Sequence, residues 1–109
     1  MRRGDVVLMV AAGDFGKPRP GIVVQSDTLG DVTATVLVCP ATSDITEKIP
    51  LRPIVEAGVM NGLRLRSQIM TDKVMTIRRD RIRRVLGKLD ADTIERLDRA
   101  LLVILGLAR

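Results

Sequence analysis

An arginine confined between two prolines is the residue of this chain best suited to phosphate chemistry. The segment Gly16–Asp27 reads Gly-Lys-Pro-Arg-Pro-Gly-Ile-Val-Val-Gln-Ser-Asp. Proline fixes its own φ and restricts the residue before it, so Arg19 is held extended at the foot of an apolar strand. A guanidinium offers paired donors to a phosphate and never loses its charge. The alternative is a solvent-exposed loop arginine beside a strand that needs a stiff start.

The composition narrows the kinds of partner and chemistry. Lys and Arg number 18 against 13 acidic residues, and the pI is near 10.3, which favours a polyanionic partner. The sequence contains no histidine, which excludes a paired-imidazole mechanism, and its one cysteine cannot form an intrachain disulfide or a cysteine-based zinc cluster. We therefore expect no metal and no cofactor. Aromatic residues make up 1%, which disfavours base-stacking platforms and the aromatic groove of a peptide-binding SH3-like module.

Local patterns predict one domain, residues 1–109, with an aliphatic core. The apolar run Val6–Ala12 is too short for a transmembrane helix and lacks a secretory cleavage pattern. We therefore expect a cytoplasmic protein without a membrane partner. Cys39 ends the apolar run Val36–Cys39 and is predicted to be a small core residue. The segment Ala12–Gly16 is predicted to be a mobile flap over a groove.

Hydrophobic periodicity predicts several short strands followed by one helix. Prolines are expected to start the second strand, to end the third at Pro40, and to keep Ile49–Ile54 at a sheet edge. The segment 41–44 is predicted to be a polar loop, and 78–82 a single helical turn. This pattern is typical of an α+β, mostly β chain that forms a small, strongly bent barrel with a covering helix. The predicted strands are Asp5–Val10, Pro20–Gln25, Thr33–Cys39, Ile49–Ile54, Leu63–Thr71, Val74–Ile77 after a break at 72–73, and Arg83–Lys88.

The final segment has the clearest helical pattern. Asp90 is a candidate N-cap, and Asp92 with Glu95 three residues later is an alternative capping box. Apolar residues recur at helical spacing, and Gly106 stands where a C-terminal glycine belongs. The apolar run 101–105 is consecutive, so part of it is expected to face away from the barrel and to form a two-fold dimer interface.

Several blocks, taken in order, resemble the PemK/MazF family of toxin endoribonucleases. The first two are Arg-Gly-Asp-Val-Val at 3–7 and the proline-flanked segment at 16–27. They are followed by Val-Cys-Pro-Ala-Thr-Ser at 38–43, by parts of 67–77, and by Leu-Gly-Lys-Leu at 86–89 with its helix. The resemblance covers nearly the whole chain.

This resemblance implies an SH3-like (CcdB/PemK-type) barrel with a C-terminal α-helix, working as a homodimer. It implies a toxin of a type II toxin–antitoxin system that cleaves single-stranded RNA, including mRNA, without a metal and so inhibits translation and growth. A cognate antitoxin is the implied protein partner, and we expect it to place an acidic segment over Lys17, Arg19 and Lys73. Operator DNA would be reached only through that antitoxin. The alternative within the same fold is a non-enzymatic toxin that binds DNA gyrase.

By motif, the resemblance implies catalytic roles for Arg19, Thr42 and Asp72. Scission through the ribose 2′-hydroxyl needs a base, a stabiliser of the phosphorane and an acid for the leaving oxygen. Arg19 suits charge stabilisation, Thr42 could donate a hydrogen bond to the same phosphate, and Asp72 could accept the ribose proton. The alternatives are that Thr42 caps a loop and that Asp72 is a turn residue.

Further residues are candidates for binding the RNA. The basic run 78–84 is either a solvated face or an RNA track. The residues expected to contact RNA are Lys17, Ser43, Ser67, Gln68 and Lys73.

Overall fold

The computed structural model describes residues 1–13 and 15–108, and seven strands in them form one curled antiparallel sheet, a half-barrel. The order across the sheet is β4-β5-β3-β2-β1-β7, and β6 also pairs with β3. β5 and β6 pair with successive stretches of β3, so β6 continues β5 after a break, as predicted. The strands are β1 Asp5–Met9, β2 Arg19–Val23, β3 Thr35–Thr42, β4 Ile54–Val55, β5 Ser67–Ile69, β6 Met75–Arg78 and β7 Ile82–Lys88.

The prediction that Pro40 ends the third strand is wrong, because β3 continues through it to Thr42. Pro40 lies where one neighbour of β3 changes from β6, whose last pair is at Val38, to β5, whose first pair is at Ala41. A missing N–H at this changeover interrupts neither ladder. The Pro40 carbonyl still accepts a hydrogen bond from the Met70 N–H, at 2.8 Å. Thr42 therefore ends a strand, whereas the sequence predicted a loop.

Two further predicted strands are shorter than expected. β4 lies at the sheet edge, as predicted, but contains only two residues, since the prolines of 49–53 withhold ladder donors. β5 begins at Ser67 because Leu65 is exposed and does not continue an inward-facing alternation. The predicted break and the predicted helical turn are both confirmed as 3₁₀ turns, Thr71–Lys73 and Arg79–Arg81.

A helix, α1, spans Ala91–Ile104 and follows β7 directly. Asp90 is its N-cap, as predicted: the carboxylate accepts a hydrogen bond from the Thr93 N–H at 2.8 Å. The alternative capping box is wrong, because Asp92 lies inside the first turn. Gly106 ends the helix with a φ of +74°, a left-handed conformation that glycine adopts without strain. No helix among the described residues is long and apolar enough to span a membrane.

The core is aliphatic and lies on both faces of the sheet. Val6 and Val7 are adjacent in β1 and fully buried, one in each of two clusters, because successive side chains of a strand point to opposite faces. Cys39 is buried in the first cluster, which confirms its predicted core role, and burial raises its pKa to about 11. The first cluster includes the helix: Val6, Ile22, Cys39, Val55, Leu63, Ile69, Leu89, Leu97 and Leu101. The second is Val7, Met9, Val23, Val36, Val38 and Ile77.

Candidate active site

Two cavities among the described residues meet at the ends of β2 and β3. The larger has a volume of about 380 Å³ and the smaller about 320 Å³, and Arg19, Ala41 and Thr42 line both. We call the larger cavity the groove. Four of the residues predicted from the sequence line it: Arg19, Thr42, Ser43 and Ser67. Its other lining residues are Leu8, Pro20, Ala41, Gly62, Leu63, Arg64, Leu65, Arg84 and Leu86.

Arg19 begins β2 and Thr42 ends β3, and these two strands are neighbours in the sheet. Their pairing ends at Gly21 with Pro40, so Arg19 and Thr42 each lie two residues beyond the last pair. Side chains two residues apart on a strand share a face. Arg19 and Thr42 both line the two cavities, which brings the predicted arginine and threonine to one site.

Thr42 both caps a turn and faces the groove. Its Oγ1 accepts a hydrogen bond from the Asp44 N–H at 3.0 Å, which is the role of the capping alternative. A hydroxyl that accepts one hydrogen bond still carries its own hydrogen to donate. The cap therefore orients Oγ1 and leaves its hydrogen available for a phosphate oxygen.

Asp72 forms a double ion pair with Arg52, a residue that the sequence analysis missed. Arg52 Nε and Nη2 lie 2.7 and 2.9 Å from the two carboxylate oxygens. The Arg52 side chain is only 5% exposed. These hydrogen bonds hold the pKa of Asp72 below its usual range, which makes the carboxylate a weaker proton acceptor. Asp72 lines neither cavity, and its role as general base stays a prediction.

Gln68 is buried and has protein partners at both ends of its amide. Nε2 donates to the Thr46 carbonyl at 2.8 Å, while Oε1 accepts from the Thr46 N–H at 3.4 Å and from Arg52 Nη1 at 3.3 Å. The Gln68 side-chain amide therefore holds the backbone at Thr46 in place. Ser67 is also buried, and its hydroxyl donates to the Leu65 carbonyl at 2.9 Å beside the groove.

The remaining predicted RNA contacts differ in position. Ser43 is exposed at the groove, whereas Lys17 and Lys73 are exposed and line neither cavity. The predicted flap, Ala12–Gly16, includes Asp14, which lies outside the described residues. Ala12 itself lines the smaller cavity.

The arginines of the basic run 78–84 differ in their contacts. Arg78 lies within ion-pair distance of Asp80, and Arg79 Nε donates to the Thr33 carbonyl at 2.6 Å. Arg84 alone lines the groove, where it pairs with Leu8 of β1. The basic run was itself the sequence signal for Arg84. Arg64 also lines the groove and carried no comparable signal.

Comparisons with known proteins agree with this architecture. Residues 2–105 match the family of PemK-like, MazF-like toxins of type II toxin–antitoxin systems. The sequence is 42% identical over 109 residues to the probable endoribonuclease MazF of Mycolicibacterium smegmatis, covering 99% of each chain. The fold is similar to that of Mycobacterium tuberculosis toxin MazF-mt6, with a TM-score of 0.82 at 22% identity, covering 96% of this chain and 99% of that one. It is also similar to a mycobacterial endoribonuclease in complex with its cognate antitoxin, with a TM-score of 0.83 at 21% identity and coverages of 100% and 98%.

Proposed function

The chain belongs to the family of PemK-like, MazF-like toxins of type II toxin–antitoxin systems, and from that premise we propose that it is an endoribonuclease cleaving single-stranded RNA. Cleavage of mRNA would inhibit translation and growth. The gyrase-binding alternative is not supported, because the relative at 42% identity is named an endoribonuclease. The observation that carries the proposal is that Arg19, at the start of β2, and Thr42, at the end of β3, line the same two cavities.

In the proposed reaction the ribose 2′-oxygen attacks the adjacent phosphorus and the bond to the 5′-oxygen breaks. The products are a 2′,3′-cyclic phosphate and a free 5′-hydroxyl. Arg19 neutralises the charge that gathers on the non-bridging oxygens of the phosphorane, and the Thr42 hydroxyl donates a hydrogen bond to one of them. Because Arg19 supplies this positive charge, the proposed step needs no metal ion.

Two protons must also move in this step. The 2′-hydroxyl proton leaves to a base, and water supplies the proton that the departing 5′-oxygen takes up. The sequence predicts Asp72 as that base, whereas the ion pair with Arg52 gives the same carboxylate a structural role. Neither proton transfer is assigned to Arg19, whose role in this step is to stabilise charge.

RNA binding is proposed to combine the groove with the basic surface around it. Ser43 and Ser67 lie at the groove, and Arg64 and Arg84 add positive charge to its lining. Lys17 and Lys73 are exposed outside the cavities and would contact phosphates further along the RNA. Gln68 is buried and would support the RNA-contacting residues from below the surface. Binding that depends on phosphate contacts weakens as salt rises.

We also propose a homodimer controlled by an acidic antitoxin in the cytoplasm. The apolar run 101–105 partly faces outward, as predicted: Leu101 is buried, whereas Leu105 is 59% exposed. Leu105 and Leu102 line an open apolar cavity that also includes Leu37 of β3, and an apolar surface of this kind suits a second copy of the chain. An acidic antitoxin segment would cover Lys17, Arg19 and Lys73, and operator DNA would be bound through the antitoxin alone.

The test is cleavage of a long RNA that contains both paired and unpaired regions. The purified protein is incubated with it in excess EDTA, and the cut ends are mapped. We expect internal cuts confined to unpaired regions, with cyclic phosphate ends. Arg19→Ala, prepared identically, should cut about 10²–10³-fold more slowly, which excludes a contaminating nuclease. Full loss of cleavage on chelation, or equal cleavage by Arg19→Ala, would contradict the proposal.

A further inference from the structure

A buried arginine links the turn after Thr42 to the 3₁₀ turn that contains Asp72. Arg52 donates two hydrogen bonds to Asp72 and a third to Gln68 Oε1. Its side chain is 5% exposed, so its charge must be compensated within the protein. Three of its five N–H donors are directed at Asp72 and Gln68 and so are not offered to a phosphate.

Gln68 passes this restraint to the chain beside Thr42. Thr42 is the register partner of Gln68 between β3 and β5, so the two side chains share one face of the sheet. The Gln68 amide bonds both the N–H and the carbonyl of Thr46, four residues after Thr42. Between them, the Asp44 N–H donates to Thr42 Oγ1. The orientation of the Thr42 hydroxyl thus depends on a turn that Gln68 fastens at its far end.

The segment that carries Arg52 is itself fixed to the same 3₁₀ turn. Thr71 is fully buried, and its hydroxyl donates to the Leu51 carbonyl at 2.5 Å. The Ile69 N–H donates to the Pro53 carbonyl at 2.9 Å. Leu51 has a φ of +65°, a conformation that costs a non-glycine residue free energy and persists where its surroundings impose it. Arg52 therefore approaches Asp72 and Gln68 from a rigid position.

We propose that Asp72, Arg52 and Gln68 are positioning residues that hold the turn 42–46 and so direct the Thr42 hydroxyl at the scissile phosphate. This inference rests on the proposed ribonuclease function. Asp72 compensates the charge of Arg52, Arg52 orients the Gln68 amide, and Gln68 fixes Thr46. Without this chain the turn loses its fastening, and Oγ1 samples orientations that do not reach the phosphate.

The first test measures rates on a single-stranded oligonucleotide that contains one mapped cut. Arg52→Gln and Asp72→Asn should each lower kcat by about 10²-fold, the effect of displacing a reacting group by about 1 Å, with KM within about twofold. The double variant should be no slower than the slower single variant, because both changes break one chain. Arg99→Gln, which removes an exposed ion pair with Glu95 on α1, is the matched control and should keep the wild-type rate.

A second test asks whether Arg52 acts through the Thr42 hydroxyl, and it uses the Thr42→Ala variant. In Thr42→Ala protein, adding Arg52→Gln should slow cleavage by less than twofold, since no hydroxyl remains to be positioned. The pH–rate profile of Asp72→Asn should keep the shape of the wild-type profile. If the Asp72→Asn profile lost the acidic limb of the wild-type profile, and Arg52→Gln cut at the full rate, Asp72 would be the proton acceptor. That result would overturn the proposal.

Amide exchange tests the chain without any RNA. Arg52→Gln should speed exchange at Asp44 and Thr46, while core amides of β1 keep their protection, which separates a loosened turn from an unfolded protein. Arg52→Lys keeps the positive charge but not the planar pair of donors, so exchange at Asp44 and Thr46 should be intermediate between wild type and Arg52→Gln. Unchanged exchange at both amides would overturn the positioning role. Failure of the wild-type protein to cut RNA would reject the function and leave this exchange test standing.

Discussion

Replacing Arg19 with alanine removes the group on which the proposed chemistry most depends. Arg19 is exposed and begins β2, so its truncation takes no apolar contact from either core cluster. Surface changes of this kind usually alter the unfolding free energy by about 0.5 kcal/mol or less. Loss of one donor to a developing oxyanion typically costs about 10²–10³ in kcat, or roughly 2.7–4 kcal/mol. KM should rise less, because Arg64 and Arg84 still line the groove.

Arg19→Lys separates charge from geometry. A lysine keeps the positive charge but offers no planar pair of donors, so we expect it to recover only about tenfold of the lost rate. The assay is cleavage of an oligonucleotide with one mapped cut, in EDTA, with thermal unfolding of each variant measured in parallel. Thr42→Ala should be milder than Arg19→Ala but still severe. An Arg19→Ala rate within threefold of wild type, with an unchanged melting temperature, would refute the phosphate role.

Three predictions concern stability and reactivity. Cys39, whose pKa is raised from 9.0 to about 11, should react with a thiol reagent at pH 8 at least about a hundredfold more slowly in the folded protein than in urea. Gly87→Ala should lower the unfolding free energy by about 1–3 kcal/mol or prevent folding, because the added Cβ would overlap the Met60 carbonyl oxygen. In the control Gly58→Ala the added Cβ meets nothing nearer than 3.9 Å, so the loss of stability should be small. Because the pKa of Asp72 is lowered, its stabilisation is complete above about pH 4 and is lost as the pH falls through the folded-state value. The unfolding free energy of Asp72→Asn, measured with urea, should therefore fall less than that of the wild type between about pH 4 and pH 2. An equal fall in both proteins would contradict the ion pair.

The features that sequence predicted best are those set by local chemistry. The β-branched residues Thr33, Thr35, Val36 and Val38 indicated β3, and Asp90 was identified as an N-cap because a carboxylate before an apolar repeat satisfies free N–H groups. Pro40 was misjudged for a different reason. Its missing donor is tolerated because β3 exchanges one partner for another at that point, and this exchange is decided by residues 69 and 75.

In the candidate site, too, residues marked by local sequence were predicted, and residues placed by distant contacts were missed. Arg19 was found through its flanking prolines, and Thr42 through its motif. Arg52 was missed because its partner Asp72 lies twenty residues away, and nothing near Arg52 predicts that its side chain is buried. Asp72 was identified as chemically important, but its partner Arg52 follows a left-handed Leu51, which the sequence does not predict.

The prolines around Arg19 also lower the cost of using it. Pro18 and Pro20 fix their own φ, and Pro20 restricts the backbone of Arg19 before it. Binding a flexible segment to a phosphate costs conformational entropy. A backbone already fixed by proline on both sides adds little to that cost at Arg19, whose side chain lines the groove. The two prolines therefore lower the entropic cost of using this arginine at the site.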